Sequence, residues 1–173
     1  MNMTLTLKLL KHMATHHPDD DALVDAEHSI SFKKLRTLVE RTSLKLFDER
    51  DAIYGQHIQN NALRQIICLC SNLISVDTPL DIPVTISNEG LSATLKAAHV
   101  QILYTDLMDK LWEVGNIFGP SISLVTPMEL FHKKIWKVKF RSTQGGVQLD
   151  DEEAKHHYQQ WQESQSIQPH LTR

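Results

Sequence analysis

Residues 61–75 place apolar side chains on almost every side of a helix: Ala62, Leu63, Ile66, Ile67, Cys68, Leu69, Cys70, Leu73 and Ile74. Such a helix is packed on more than one side, so the chain must supply layers around it. The flanking segments supply them. Residues 52–58 read as a strand, and Asn60 or Asn61 is placed to cap the apolar helix. Residues 76–83 form a proline-punctuated loop. Ser87 or Asn88 starts a helix to about Ala98, and residues 100–105 read as a strand. Asp106 can cap a helix to about Ile117, Gly119-Pro120 breaks it, and residues 122–125 form the next strand. Strands alternating with helices favour a parallel sheet covered by helices.

The two ends differ from this middle. Residues 4–15 read as a short helix ended by His16-His17-Pro18. Residues 22–25 and 29–32 then form a small hairpin. Leu35, Leu38, Val39, Leu46 and Phe47 give residues 33–48 one apolar helical face. Near the other end, residues 135–140 alternate. Trp136, Val138 and Phe140 share one face, with Lys137 and Lys139 on the opposite one. Lysine on one face suits an edge or half-exposed strand. Residues 141–146 form a turn, and Asp150 to Glu153 begin a helix by favouring its dipole. That helix has a thin apolar stripe of Ala154, Tyr158 and Trp161.

Composition narrows the function classes. The 173 residues suffice for one domain with a real core. Hydrophobic residues are 41% and charged residues 23%, ordinary globular values that exclude a wholly disordered or collagen-like chain. Eighteen basic against 21 acidic residues give −3, so no global positive field exists to hold nucleic acid or an anionic membrane. No stretch approaches the ~20 apolar residues of a membrane span, and the N-terminus lacks the apolar core of a signal peptide. The two cysteines, Cys68 and Cys70, form no C-x-x-C motif and no disulfide framework. They read as buried thiols in a reducing cytoplasm.

Several segments, in order, resemble the N-terminal portion of the adenylate-forming superfamily of acyl-CoA synthetases, nonribosomal peptide adenylation domains and luciferases. His17-Pro18-Asp19 with Asp21-Ala22-Leu23-Val24 is similar to that family's opening. Ile30-Ser31-Phe32-Lys33-Lys34-Leu35 resembles its first strand-to-helix step, and Ile58-Gln59-Asn60-Asn61 stands where it has a strand and an asparagine-containing turn. Residues 74–81 and 91–106 resemble its next loop and strand. The resemblance covers about Leu9 to Asp106. The family's chemistry lies beyond that span, in a lysine-bearing phosphate loop, an adenine site, a ribose-binding aspartate and a C-terminal lysine. Here the family's glycine-rich turn before the second strand is shortened to residues 48–51, and a full member is several times longer.

Bland readings win at the remaining constellations. Residues 141–149 hold adjacent glycines, Gly145 and Gly146, but no lysine before the next helix, short of what a phosphate cradle needs. Ten histidines include the pairs His16-His17 and His156-His157. Adjacent residues point apart on a helix, and zinc wants three or four ligands, so solvated histidines are expected. No G-x-S-x-G elbow occurs. Lys133, Lys134, Lys137, Lys139 and Arg141 form a local basic strip, read by default as the solvated face of an edge strand, with an acidic protein or single-stranded nucleic acid as the alternatives.

The expected fold is α/β: a mostly parallel sheet covered by helices, with a small N-terminal hairpin and an atypical C-terminal strand and helix. Residues 1–130 form the family-like subdomain, 131–165 a strand-helix extension of it, and 166–173 a polar tail. No catalytic, cofactor-binding or metal residue is assigned, and no cofactor is implied. The expected function is a non-catalytic protein that binds another protein: an adenylating enzyme, a carrier protein or a second copy of itself. Its expected interface is Trp136, Val138, Phe140, Tyr158 and Trp161, because each aromatic face is too narrow to make a core alone. The alternatives are one subunit of a split AMP-forming acyl ligase and a small-molecule acyl-binding module.

Overall fold

The computed structural model describes residues 5–111 and 122–140. The chain runs α1 (Leu5–His16), β1 (Asp21–Val24), β2 (Ser29–Ser31), α2 (Phe32–Leu46), β3 (Tyr54–His57), α3 (Asn61–Leu73), β4 (Leu80–Asp81), α4 (Asn88–Ala97), β5 (Ile102–Thr105), β6 (Ile122–Leu130) and β7 (Lys133–Phe140). Side-chain oxygens start three helices: Asn60 and Ser87 as expected, and Ser31, expected only as part of the hairpin. Ser31 accepts from the Lys34 N–H, Asn60 from Leu63, and Ser87 from Gly90. Each satisfies one of the orphan donors of a first turn. Asp106 has a different task. Thr105 Oγ1 accepts the Leu107 N–H at 2.9 Å, while the Asp106 carboxylate accepts from Gln59 and Asn60 at 2.8 and 3.0 Å.

β1 and β2 form a separate antiparallel hairpin, and the other five strands form one sheet in the order β4-β3-β5-β7-β6. β4, β3 and β5 pair in parallel, whereas β7 is antiparallel to both its neighbours. The sheet is therefore mixed: four strands share one direction, and β7 runs against them. β4 lies inside the segment expected to be only a loop.

Helices cover both faces. On one, α1, α2 and α3 enclose Leu7, Leu10, Leu35, Val39, Ile66 and Ile67 against Tyr54, Ile102, Tyr104 and Ile135 of the sheet. On the other, Leu91 and Leu95 of α4 pack with Ile82, Val100, Leu103, Met108, Val125, Trp136 and Val138. Gly55 on β3 lets the second layer close in: a Cβ there would meet Leu103 Cδ1 and Val100 Cγ1 at 3.2 Å.

The expectation for β7 is corrected. It is an interior strand, paired with β5 from Ile102↔Lys139 to Thr105↔Trp136 and with β6 along its length. Its lysines are accommodated by distant acids. Lys137, only 7% exposed, reaches Asp48 at 2.7 Å, and Lys139 bonds Glu49. Their ammonium heads meet the acids of the loop after α2.

The β6–β7 turn is Phe131-His132, with positive φ values of 51° and 59°. Two-residue hairpin turns require this conformation, and glycine or asparagine usually fills it. Packing holds it here. Phe131 is buried in the first core, and His132 stacks on His28 of the β1–β2 loop with ring centroids 4.6 Å apart. Lys133 adds an ion pair to Glu27 at 3.3 Å.

Candidate functional site

Each residue of the expected interface has a definite place or lies outside the described residues. Trp136 and Val138 are 1% and 0% exposed, inside the second core, and Phe140 packs half-buried against it. That strand face is core within one chain, so as an exposed interface it is corrected. Tyr158, Trp161, the Gly145-Gly146 turn, the acids at 150–153 and the His156-His157 pair lie outside the described residues. Of the basic strip, Lys133, Lys137 and Lys139 are bound to Glu27, Asp48 and Glu49, which leaves little of it for an acidic partner.

His16 and His17 are exposed; His17 faces Asp20 at 3.4 Å, and His16 lies against His12 with ring centroids 4.5 Å apart. Among the described residues, no three His, Cys, Asp or Glu side chains are grouped to hold a metal. The thiols are partly as expected. Cys70 is buried, with Thr42 Oγ1 at 3.4 Å from its sulfur, whereas Cys68 is half-buried and accepts a bond from Gln56 Nε2 at 3.6 Å. Burial raises both thiol pKa values, which disfavours the nucleophilic thiolate.

The carboxyl edge of β3, β4 and β5 is where open α/β sheets hold ligands. Here its polar groups bind each other. Besides the Asp106 bonds, Thr105 Oγ1 donates to the His57 carbonyl at 2.7 Å. Arg64 bonds Asp81, and Lys110 Nζ donates to the Val84 and Ile86 carbonyls, the first at 2.9 Å. His57 is 0% exposed, with Nδ1 3.1 Å from the Ile82 carbonyl and no hydrogen-bond partner at Nε2. Burial lowers its pKa, and the positive charge of Lys110 adds to that. Burial thus disfavours the charged ring, and an Nδ1–H is placed to donate to the Ile82 carbonyl. Sequence reasoning did not single out His57. Its only signal was a histidine at the end of an apolar strand.

A second feature lies across α2. An open groove of about 880 Å³ runs between α2 and the β6–β7 turn. Ile30, Leu38 and Phe131 give it apolar surface, and Lys33, Lys34, Thr37, Arg41, Asp19, Glu129 and His132 give it polar walls.

No protein-family model and no curated protein matches the chain. Solved structures do. A mutant form of coronafacic acid ligase from Pectobacterium brasiliense aligns with a TM-score of 0.53 at 16% identity, over 65% of this chain and 23% of that one. The NpsA N-terminal subdomain of Klebsiella oxytoca, in complex with 3-hydroxyanthranilyl-AMSN, aligns with a TM-score of 0.50 at 13% identity, over 80% of this chain and 41% of that one. At these identities the likeness concerns the fold: this chain is built like the N-terminal part of adenylate-forming enzymes and spans less than half the length of either neighbour.

Proposed function

We propose that this chain is a non-catalytic binding protein on an adenylate-forming-enzyme fold, acting through another protein: an adenylating enzyme, a carrier protein or a second copy of itself. One observation carries the reading. At the carboxyl edge of the parallel strands, Asp106, Thr105, Arg64 and Lys110 are bound to groups of the chain itself. Side chains committed in this way are poorly disposed to bind a substrate or ATP, whereas catalysis needs groups aimed at reacting atoms.

The test is pyrophosphate exchange into ATP with purified protein and a panel of carboxylic acids. Exchange is expected to stay at background, and clear exchange refutes the reading. Light scattering over a concentration series, with and without candidate adenylating enzymes and carrier proteins, is expected to show association. A 19.8 kDa species under every condition refutes it.

A further inference from the structure

We propose that the groove between α2 and the β6–β7 turn docks an acidic amphipathic helix of a partner protein. This rests on the reading of the chain as a binding protein and adds the place and the chemistry. Arg36, Arg64, Lys133, Lys137 and Lys139 each hold a carboxylate of this chain. Lys33, Lys34 and Arg41 are exposed, hold none among the described residues, and all line the same groove.

Their spacing has a direction. Lys33, Thr37 and Arg41 recur every four residues, so they form one stripe along α2. Eight residues of helix put its ends about 12 Å apart. A partner helix lying alongside can present acids one and two turns apart to Lys33, Lys34 and Arg41. An apolar side chain between those acids meets the partly exposed Ile30 and Leu38 beside the buried Phe131, the usual arrangement of a helix seated in a groove. Asp19 and Glu129 also line the groove. They leave the lining at a net charge of about +1 and repel a partner whose acids are out of register.

The experiment uses the full chain and a fluorescein-labelled model helix of Leu at i, i+3, i+4 and i+7 with Glu between, read by fluorescence anisotropy. A peptide with Lys in place of Glu is the comparison. Binding of the Glu peptide, weakened by salt and absent with the Lys peptide, is expected. Combined Lys33→Glu, Lys34→Glu and Arg41→Glu should weaken it at least tenfold. Lys8→Glu with Lys11→Glu, on the exposed side of α1, should leave it unchanged. The milder Lys33→Gln, Lys34→Gln and Arg41→Gln set should show the same loss, and circular dichroism confirms that each variant is folded. No binding by the wild type, or equal weakening by the α1 variant, overturns the proposal. So does tighter binding to phosphatidylserine vesicles than to the peptide, lost in the same groove variant, which makes the surface a membrane face. These outcomes are separable from the broader reading: adenylating activity is read by pyrophosphate exchange, and association elsewhere is read by unchanged complex mass in the groove variants.

Discussion

Replacing Trp136 by Ala separates a core residue from an interface residue. The side chain is 1% exposed and sits among Leu91, Leu95, Leu103, Val125 and Val138, on a strand bonded to both neighbours. A buried tryptophan removes about 150–250 Å² from water, which at about 25 cal/mol per Å² is roughly 4–6 kcal/mol. Large-to-small core substitutions cost about 3–5 kcal/mol, so about 4 kcal/mol is the working figure. That is a large part of the about 5–15 kcal/mol that holds a domain together. With a urea slope of about 2 kcal/mol/M, the unfolding midpoint falls by about 2 M. The assay is urea unfolding followed by circular dichroism at several protein concentrations, with light scattering on the same samples. Trp136→Phe should lower the midpoint by less than half as much. A midpoint within about 0.3 M of wild type in the alanine variant, well inside the expected shift, refutes the core assignment. If the folded variant also loses a dimer mass, the indole lies at an interface instead.

Four further outcomes follow from buried and half-buried polar groups. The pKa of His57 is lowered by burial, so the unfolded chain takes up its proton first as pH falls. Stability is then flat above about pH 6.5 and declines below it; His57→Gln should flatten that decline in urea midpoints measured from pH 7.5 to 5, and an unchanged slope refutes it. Tyr104 is fully buried and donates its hydroxyl to the Leu46 carbonyl near the C-terminus of α2. Tyr104→Phe keeps the ring but orphans that carbonyl, at a cost of about 1–3 kcal/mol in urea unfolding. Burial also pushes the Tyr54 phenol up to about 12, so the unfolded chain ionises first and stability falls as pH climbs past about 10. This is read as a parallel loss in thermal midpoint, which Tyr54→Phe should reduce. For the thiols, a maleimide should label half-buried Cys68 well before buried Cys70, and equal fast labelling of both in native protein refutes that order.

Much of the architecture follows from local pattern. The all-round apolar run of residues 61–75 requires layers on either side, and α3 is enclosed by α1, α2 and the sheet. Asn60 and Ser87 cap their helices because a short side-chain oxygen there meets N–H groups that would otherwise be orphaned. Alternation on residues 135–140 identifies a two-faced strand. Such patterns act within a few residues, and period and capping chemistry record them directly.

Tertiary structure decided where that strand goes. An edge strand and an interior strand share the same two-residue period. What seats β7 between β5 and β6 is a turn with positive φ at Phe131 and His132, stacked on His28 more than a hundred residues earlier. What makes its lysine face tolerable is Asp48 and Glu49, separated from Lys137 and Lys139 by 89 and 90 residues. The buried His57 and the groove-lining Lys33, Lys34 and Arg41, which hold no carboxylate among the described residues, are settled the same way. Whether a charge is spent or free depends on which distant carboxylate the fold brings within about 4 Å, where Coulomb attraction and hydrogen bonding act. Distance along the chain does not encode distance in space, so the packing of the layers alone determines it.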